Sequence, residues 1–220
     1  MAGARPALLG VFTLLAMIPS ASHIDLEAQE GTPPLSPEDW GSYLGGICPD
    51  QCTSLAMDEK GNLLVAGWTA GGFPATAGGQ QGPGGQQEGF VAKFSAGGEL
   101  VWSMVLGGSS PDRVDSIAVD ESGDVYAVGG TSSYNFPVAE AFQVMKGYSS
   151  DAFVVKIPAS GEGLLWSTFL GGNGNDLARA VTVAADGDIL VTGYTSSPNF
   201  PVTSGAFQSS RAGGYDAFVV

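Results

Sequence analysis

One seven-residue stretch, Trp166-Ser-Thr-Phe-Leu-Gly-Gly172, occurs three times in this chain and constrains its fold more than any other feature. Its earlier copies are Trp40-Gly-Ser-Tyr-Leu-Gly-Gly46 and Trp102-Ser-Met-Val-Leu-Gly-Gly108, spaced 62 and 64 residues apart. A near-constant period of that length is the mark of a repeat architecture, in which one supersecondary unit is stacked on the next.

Each period holds four short runs rich in β-branched and aromatic residues, and no run carries a sustained 3.6-residue apolar stripe. The first type is Phe90–Phe94, Phe153–Ile157 and Phe218–Val220, and the second is the Trp stretch. The third is Ser54–Asp58, Ser116–Asp120 and Ala180–Ala184. The fourth is Leu63–Gly67, Val125–Gly129 and Ile189–Gly193, each closing on a recurrent glycine (Gly67, Gly129, Gly193). Asp58-Glu-Lys-Gly61-Asn, Asp120-Glu-Ser-Gly123-Asp and Ala184-Ala-Asp-Gly187-Asp join third to fourth as tight hairpins, with Gly in the left-handed position and Asp capping its own turn. Ser95–Gly98 and Pro158–Gly161 join first to second in the same way. Runs so joined form an antiparallel meander. The chain is therefore read as all-β, a β-propeller of four-stranded blades with apolar residues on both faces of each blade. Twelve strands make three blades where closed rings use four to eight, so a fragment of a larger propeller is expected, with an open arc or assembly of several chains as alternatives.

Composition agrees with tight turns. There are 34 glycines, charged residues make up 14%, and the net charge is −14. That charge repels phosphate backbones and argues against nucleic-acid binding. Residues 1–22 read as a secretory signal: Arg5, an apolar core of about 12 residues (Ala7–Ile18), then Pro19 and small residues before His23. A membrane span needs about 20 apolar residues, so none is expected in the mature chain, with an uncleaved anchor as the alternative. Residues 23–39 are acidic, contain Pro33, Pro34 and Pro37, and read as a tether. The repeat region is 40–220. The mature chain is therefore expected outside the cytoplasm.

The only cysteines, Cys48 and Cys52, are read as a local disulfide in that oxidising setting, since zinc would need two further ligands and His23 lies in the tail. Their counterparts, Ser110 and Val114, then Gly174 and Ala178, are not cysteines, so the pair is a local addition.

Together, Asp-Ala-Phe-Val-x-Lys, Leu-Gly-Gly, Asp-x-x-Gly-Asn/Asp, Gly-x-Thr-Ser-Ser and Asn-Phe-Pro…Gly-Ala-Phe-Gln resemble the bacterial SBBP family of β-propeller repeats across residues 40–220. The resemblance implies extracellular or cell-surface propellers, mostly without an assigned activity, and carries no catalytic residues to transfer. The first copy departs from the pattern: Gly79-Gln80 stands where Phe142-Gln143 does, within the Gly- and Gln-rich run 78–89. Ala184 replaces the hairpin Asp.

Candidate chemistry is sparse. Trp40, Trp102 and Trp166 could stack on sugars, but in a strand Trp102 shares a face with Met104 and Leu106, which points to inter-blade core. Asp50, Asp112 and Asp176 recur after Gly-Gly, and Glu88, Asp151 and Asp216 recur before the first-type strand. Calcium is conceivable there, yet the dense spacing of calcium loops is absent, so capping is preferred and no cofactor is expected. One tail His and no Gly-x-Ser-x-Gly leave no catalytic triad, although glycosidase carboxylates are spatial pairs that a sequence does not reveal. The expectation is a non-enzymatic binding or scaffold module contacting an extracellular protein or glycan through loops 68–89, 131–150 and 195–215, with open blade faces allowing self-association. The alternative is a carbohydrate-active propeller, glycosidase or lectin-like.

Overall fold

The structure is a computed structural model that describes residues 40–76, 80–81 and 86–220. The signal, the tether and much of the 78–89 run lie outside the described residues. Strands follow in the order β1 (Asp50–Met57), β2 (Leu63–Thr69), β3 (Gln80–Gln81), β4 (Glu88–Phe94), β5 (Leu100–Leu106), β6 (Asp112–Val119) and β7 (Val125–Thr131). They continue with β8 (Asp151–Ile157), β9 (Trp166–Leu170), β10 (Asp176–Val183), β11 (Ile189–Thr195) and β12 (Asp216–Val219).

These strands form three sheets. The first is the antiparallel set β1-β2-β4-β5, with the two-residue β3 added in parallel beyond β5. The second is β6-β7-β8-β9 and the third β10-β11-β12. All-β blades are thus observed as expected, and no ring closes among the described residues. The Trp40–Gly46 copy is a correction. It was expected to be a strand, but it belongs to no sheet and lies against the first blade, where Trp40 meets Phe94 at 5.6 Å and Leu44 packs near Phe90. The reason is phase. A blade runs from a third-type strand to the next second-type strand, so the first Trp copy has no sheet ahead of it to complete.

Blade-to-blade contact runs along β1, β6 and β10. Thr53 Oγ1 donates to the Val114 carbonyl at 2.7 Å, and the amides of Ile117 and Val181 donate to Ser54 Oγ and Ser116 Oγ at 3.2 and 3.3 Å. Arg179 Nη1 reaches Asp115 Oδ1 at 3.1 Å. Thr53, Asp115 and Arg179 are the extra residues of β-bulges, which fall between Cys52 and Ser54, Val114 and Ser116, and Ala178 and Ala180. A bulge turns a side chain out of its ladder, here toward the adjacent blade. Opposite the bulges sit Gly67, Gly129 and Gly193, where an added Cβ would collide with the carbonyls of Gln51, Arg113 and Leu177. Close backbone approach is the reason for these recurrent glycines.

Alternate residues of one strand enter different cores, as blades packed on both faces require. Val125 and Ala127 join Leu64, Met104 and Phe153 between the first two blades, while Tyr126 and Val128 join Val181 and Phe218 between the second and third. Trp102, Met104 and Leu106 all enter the first of these cores, and Trp102 is 4% exposed. Trp166 packs near Tyr126 and Leu170 in the second.

The hairpins follow their sequences. Asp120 Oδ1 accepts from the amides of Ser122 and Asp124 at 3.0 Å, and Asp58 Oδ1 accepts from Lys60 and Asn62 at 2.9 Å. Where Ala184 replaces the Asp, the backbone pair between Ala184 N and Asp188 O (2.7 Å) keeps the turn closed. The conserved shape places a cation beneath each cap: Lys93 Nζ lies 2.9 Å from Asp58 Oδ2, and Lys156 Nζ lies 3.2 Å from both Asp120 and Asp124.

Cys48 and Cys52 are free thiols, which corrects the expected disulfide. Cys52 is an extended residue of β1 paired with Gly67, and Cys48 precedes the strand at a bend. Extended chain advances about 3.3 Å per residue. From Asp50 the extended strand carries Cys52 away from the bend at Cys48.

Candidate functional site

Strand register brings one row of polar residues to the same end of every blade. Asp112 pairs with Thr131, and Thr131 with Asp151; Asp50, Thr69 and Glu88 form the same row in the first blade, and Asp176, Thr195 and Asp216 in the third. The Gly-Gly passages and the long connections after β2, β7 and β11 emerge at this end, which is here called the loop face. Expected strands began two to four residues too late because the acid that opens each β1-, β4- or β8-type strand reads as loop.

The opening Asp of each blade is held by the passage before it. Asp50, Asp112 and Asp176 accept from the amides of Gly46, Gly108 and Gly172 at 2.7–2.8 Å. In the second and third blades a loop serine adds a bond: Ser133 Oγ donates to Asp112 Oδ2 at 2.8 Å and Ser197 Oγ to Asp176 Oδ2 at 2.6 Å. Thr195 Oγ1 also donates to Asp176 Oδ1. The Thr-Ser-Ser signature is therefore a clamp on this aspartate.

The acid of the third strand is held differently. Asp151 Oδ2 accepts from the Gly147 amide and from Gln143 Nε2, both at 3.1 Å, and Asp216 Oδ2 accepts from Ala212 N and Gln208 Nε2 at 2.7 and 3.1 Å. Gln143 also holds the edge of its blade, since Gly171 N donates to its Oε1 at 3.1 Å. The Phe-Gln signature thus fixes a long loop alongside β9, helped by Ser167 Oγ donating to Pro137 O at 2.7 Å.

Two acids from successive blades meet over the first glycine of the second and third Gly-Gly, Gly107 and Gly171. Glu88 Oε2 occupies the space a Cβ on Gly107 would fill, with Asp112 Oδ2 2.9 Å from that point. At Gly171 the corresponding distances are 2.7 Å for Asp176 Oδ2 and 2.8 Å for Asp151 Oδ2. All four carboxylates are buried. Burial, reinforced by the Asp112 carboxylate, pushes Glu88 up to about 7. Burial also raises Asp112 despite its hydrogen bonds. Burial, opposed by the Gly147 amide and reinforced by Asp176, pushes Asp151 up to about 6. Sequence reasoning found these acids as two separate periodic sets. Their meeting depends on how consecutive blades stack, which no spacing along the chain reports.

Solvent reaches the loop face at a cleft of about 430 Å³ that takes residues from all three blades, among them Arg113, Ser132, Asn175, Tyr194 and Tyr215. The two tyrosine rings meet edge to face at 5.3 Å, and Arg179 lies 5.5 Å over Tyr194. Around it the long loops expose Tyr134, Phe142, Met145, Tyr148 and Phe207. The three repeat tryptophans are not part of this surface: Trp102 and Trp166 belong to the inter-blade cores, and Trp40 caps the hairpin at Gly98. Among the described residues no three His, Cys, Asp or Glu side chains come together as a metal-binding group.

The family model described as a beta-propeller repeat, SBBP, matches residues 39–74 and 101–137. No curated protein matches the chain. Its period, its sheet-by-sheet stacking and these two matches agree: the chain carries beta-propeller repeats of the SBBP type.

Proposed function

We propose that the chain is a secreted or cell-surface, non-enzymatic binding module whose contact surface is the loop face. The observation that supports this reading is the contrast between support and surface there. The loops are pinned by buried bonds such as Ser133 to Asp112 and Gln143 to Asp151, yet present Tyr134, Phe142, Met145 and Tyr148 to solvent. Aromatic side chains on a preorganised support give contact area at low entropic cost. The cleft beside Tyr194 and Tyr215 offers ring faces and edges, an arginine and amide groups, a combination suited to a polar, ring-shaped ligand such as a sugar or to a peptide turn. The acids that recur along the chain are inside the seams and serve the architecture, so the reading gives them no part in turnover.

A glycan array and a polysaccharide digestion screen on the full chain test this. Specific binding without turnover, reduced by Tyr215→Ala or Tyr194→Ala, is the expected result. Release of reducing ends would replace the reading with the carbohydrate-active one.

A further inference from the structure

The two inter-blade acid pairs look alike in sequence, but they differ in how fully hydrogen bonds cover them. At the Asp151–Asp176 pair, Asp176 accepts on both oxygens, from Gly172 N and Ser197 Oγ on one and Thr195 Oγ1 on the other. Asp151 accepts from Gln143 and Gly147, and the Lys146 charge acts on Asp151 and, less strongly, on Asp112. A single oxygen, Asp151 Oδ1, is left over.

Glu88 has no such cover, whereas Asp112 keeps its bonds from Gly108 and Ser133 on one oxygen. Glu88 is 4% exposed and Asp112 1%. Both Glu88 oxygens and Asp112 Oδ1 lack a hydrogen-bond partner among the described residues. Glu88 Oε2 thus lies in the room left by the missing side chain of Gly107, with the hydrogen-bonded Asp112 Oδ2 beside it. An unpartnered buried carboxylate costs several kcal/mol, and more when a second faces it. Such a cost persists in a fold only when something neutralises it.

We infer that the Glu88–Asp112 seam is a divalent-cation site that takes Ca²⁺ between the first and second blades. The residues fit the ion in kind. Calcium binds hard oxygen donors in irregular shells of six to eight, takes a carboxylate through both oxygens, and accepts backbone carbonyls and water for the remainder. Glu88 supplies two free oxygens and Asp112 one, while Asp112 Oδ2 stays fixed by Gly108 N and Ser133 Oγ at 2.7 and 2.8 Å. Zinc would want nitrogen or sulfur ligands, and none is present in the pair. The same comparison assigns no ion to the Asp151–Asp176 seam, where Gln143, Gly147, Thr195 and Ser197 already bond the carboxylates.

The test is a thermal melt and calorimetric titration of the full chain in chelator and then in CaCl₂, with Glu88→Gln and Asp151→Asn alongside. We expect the wild-type Tm to rise and saturate with calcium on the order of 0.1–1 mM, the range of extracellular calcium modules, with one ion bound. Glu88→Gln should weaken binding at least about tenfold and remove the shift. It should also melt no lower than wild type in chelator, because it deletes a buried charge. Asp151→Asn should keep the calcium response. Absence of binding up to about 10 mM, ten times that range, overturns the assignment. So does an undiminished shift in Glu88→Gln.

Discussion

The indole Nε1 of Trp102 donates to the carbonyl of Ala159 at 3.1 Å, tying the outer strand of one blade to a hairpin of the next. Its ring lies where a Cβ on Gly161 would be, so the hairpin glycine and the tryptophan fit as one contact. Trp40 repeats the arrangement one period earlier, with Nε1 3.2 Å from the Ala96 carbonyl and its ring over Gly98. Trp102→Ala should destabilise the chain by about 3–5 kcal/mol, the range for removing a large buried aromatic. Trp40→Ala should cost far less because that ring is 37% exposed. Urea unfolding of the two variants measures the difference.

Gly171→Ala places a methyl group against Asp151 and Asp176, each with an oxygen within 2.8 Å of the new carbon. The acids cannot withdraw without losing their amide and hydroxyl bonds. A loss of several kcal/mol is expected, whereas Gly214→Ala, with nothing within 4 Å, should stay within about 0.5 kcal/mol of the parent. Denaturation midpoints of the two proteins report this directly.

Asp151 also gives the chain a pH response of definite sign. Its folded carboxyl titrates near 6, above the ordinary value of 3.8, so the folded state holds its proton more tightly than the unfolded chain. Stability from this group is then lowest above pH 6 and is regained as pH falls toward 4. Burial produces the rise and the facing Asp176 adds to it, while the Gly147 amide, Lys146 and Gln143 oppose it. In calcium-free buffer, the stability of wild type minus that of Asp151→Asn should become more positive as pH falls from 7 to 4.5. A difference that is flat across this window contradicts the assignment.

At the opposite end of the first blade, Lys93 and Asp58 form a buried ion pair at 2.9 Å. Burial pushes the Asp58 carboxyl upward, but Lys93 and Asn62 outweigh it and hold it well below the usual carboxylate range. Asp58→Ala leaves the ammonium unpaired and should cost about 3–5 kcal/mol. The intact pair adds stability above pH 4 that is lost only in strong acid, opposite in sign to Asp151. Acid titrations of the variant and its parent separate the two effects.

On the free side of the first blade, β1 exposes Leu55 (73%) and Met57 (68%), while Ala56 between them packs inward. A row of this kind is an association surface. Light scattering should show concentration-dependent self-association that falls in the Leu55→Glu, Met57→Glu double variant. A monodisperse parent chain contradicts it.

The repeat period, the strand types and the turn chemistry were legible because each is local: Gly123 and Asp120 lie within one hairpin, and Trp102 and Met104 within one strand. The phase of the blades was not legible, because a Trp-to-Trp unit and a blade have the same length and differ only in where counting starts. Trp40–Gly46 was therefore expected to pair and does not. The acid seam was missed for a related reason. Asp112 and Glu88 are 24 positions apart and belong to different blades, and only stacking brings them over Gly107. The Cys48–Cys52 pairing does not form, and the positions that decide it, Cys52 held in β1 opposite Gly67 and Cys48 outside the strand, depend on where the strand begins.

That offset between unit and blade has a consequence for the order in which the chain leaves the ribosome. Three strands of a blade emerge first, and the fourth arrives only as the opening residues of the following unit. Each unit thus finishes the sheet of its predecessor before starting its own. Folding is coupled in one direction along the polypeptide, and a newly made blade keeps an open edge until the next Trp appears.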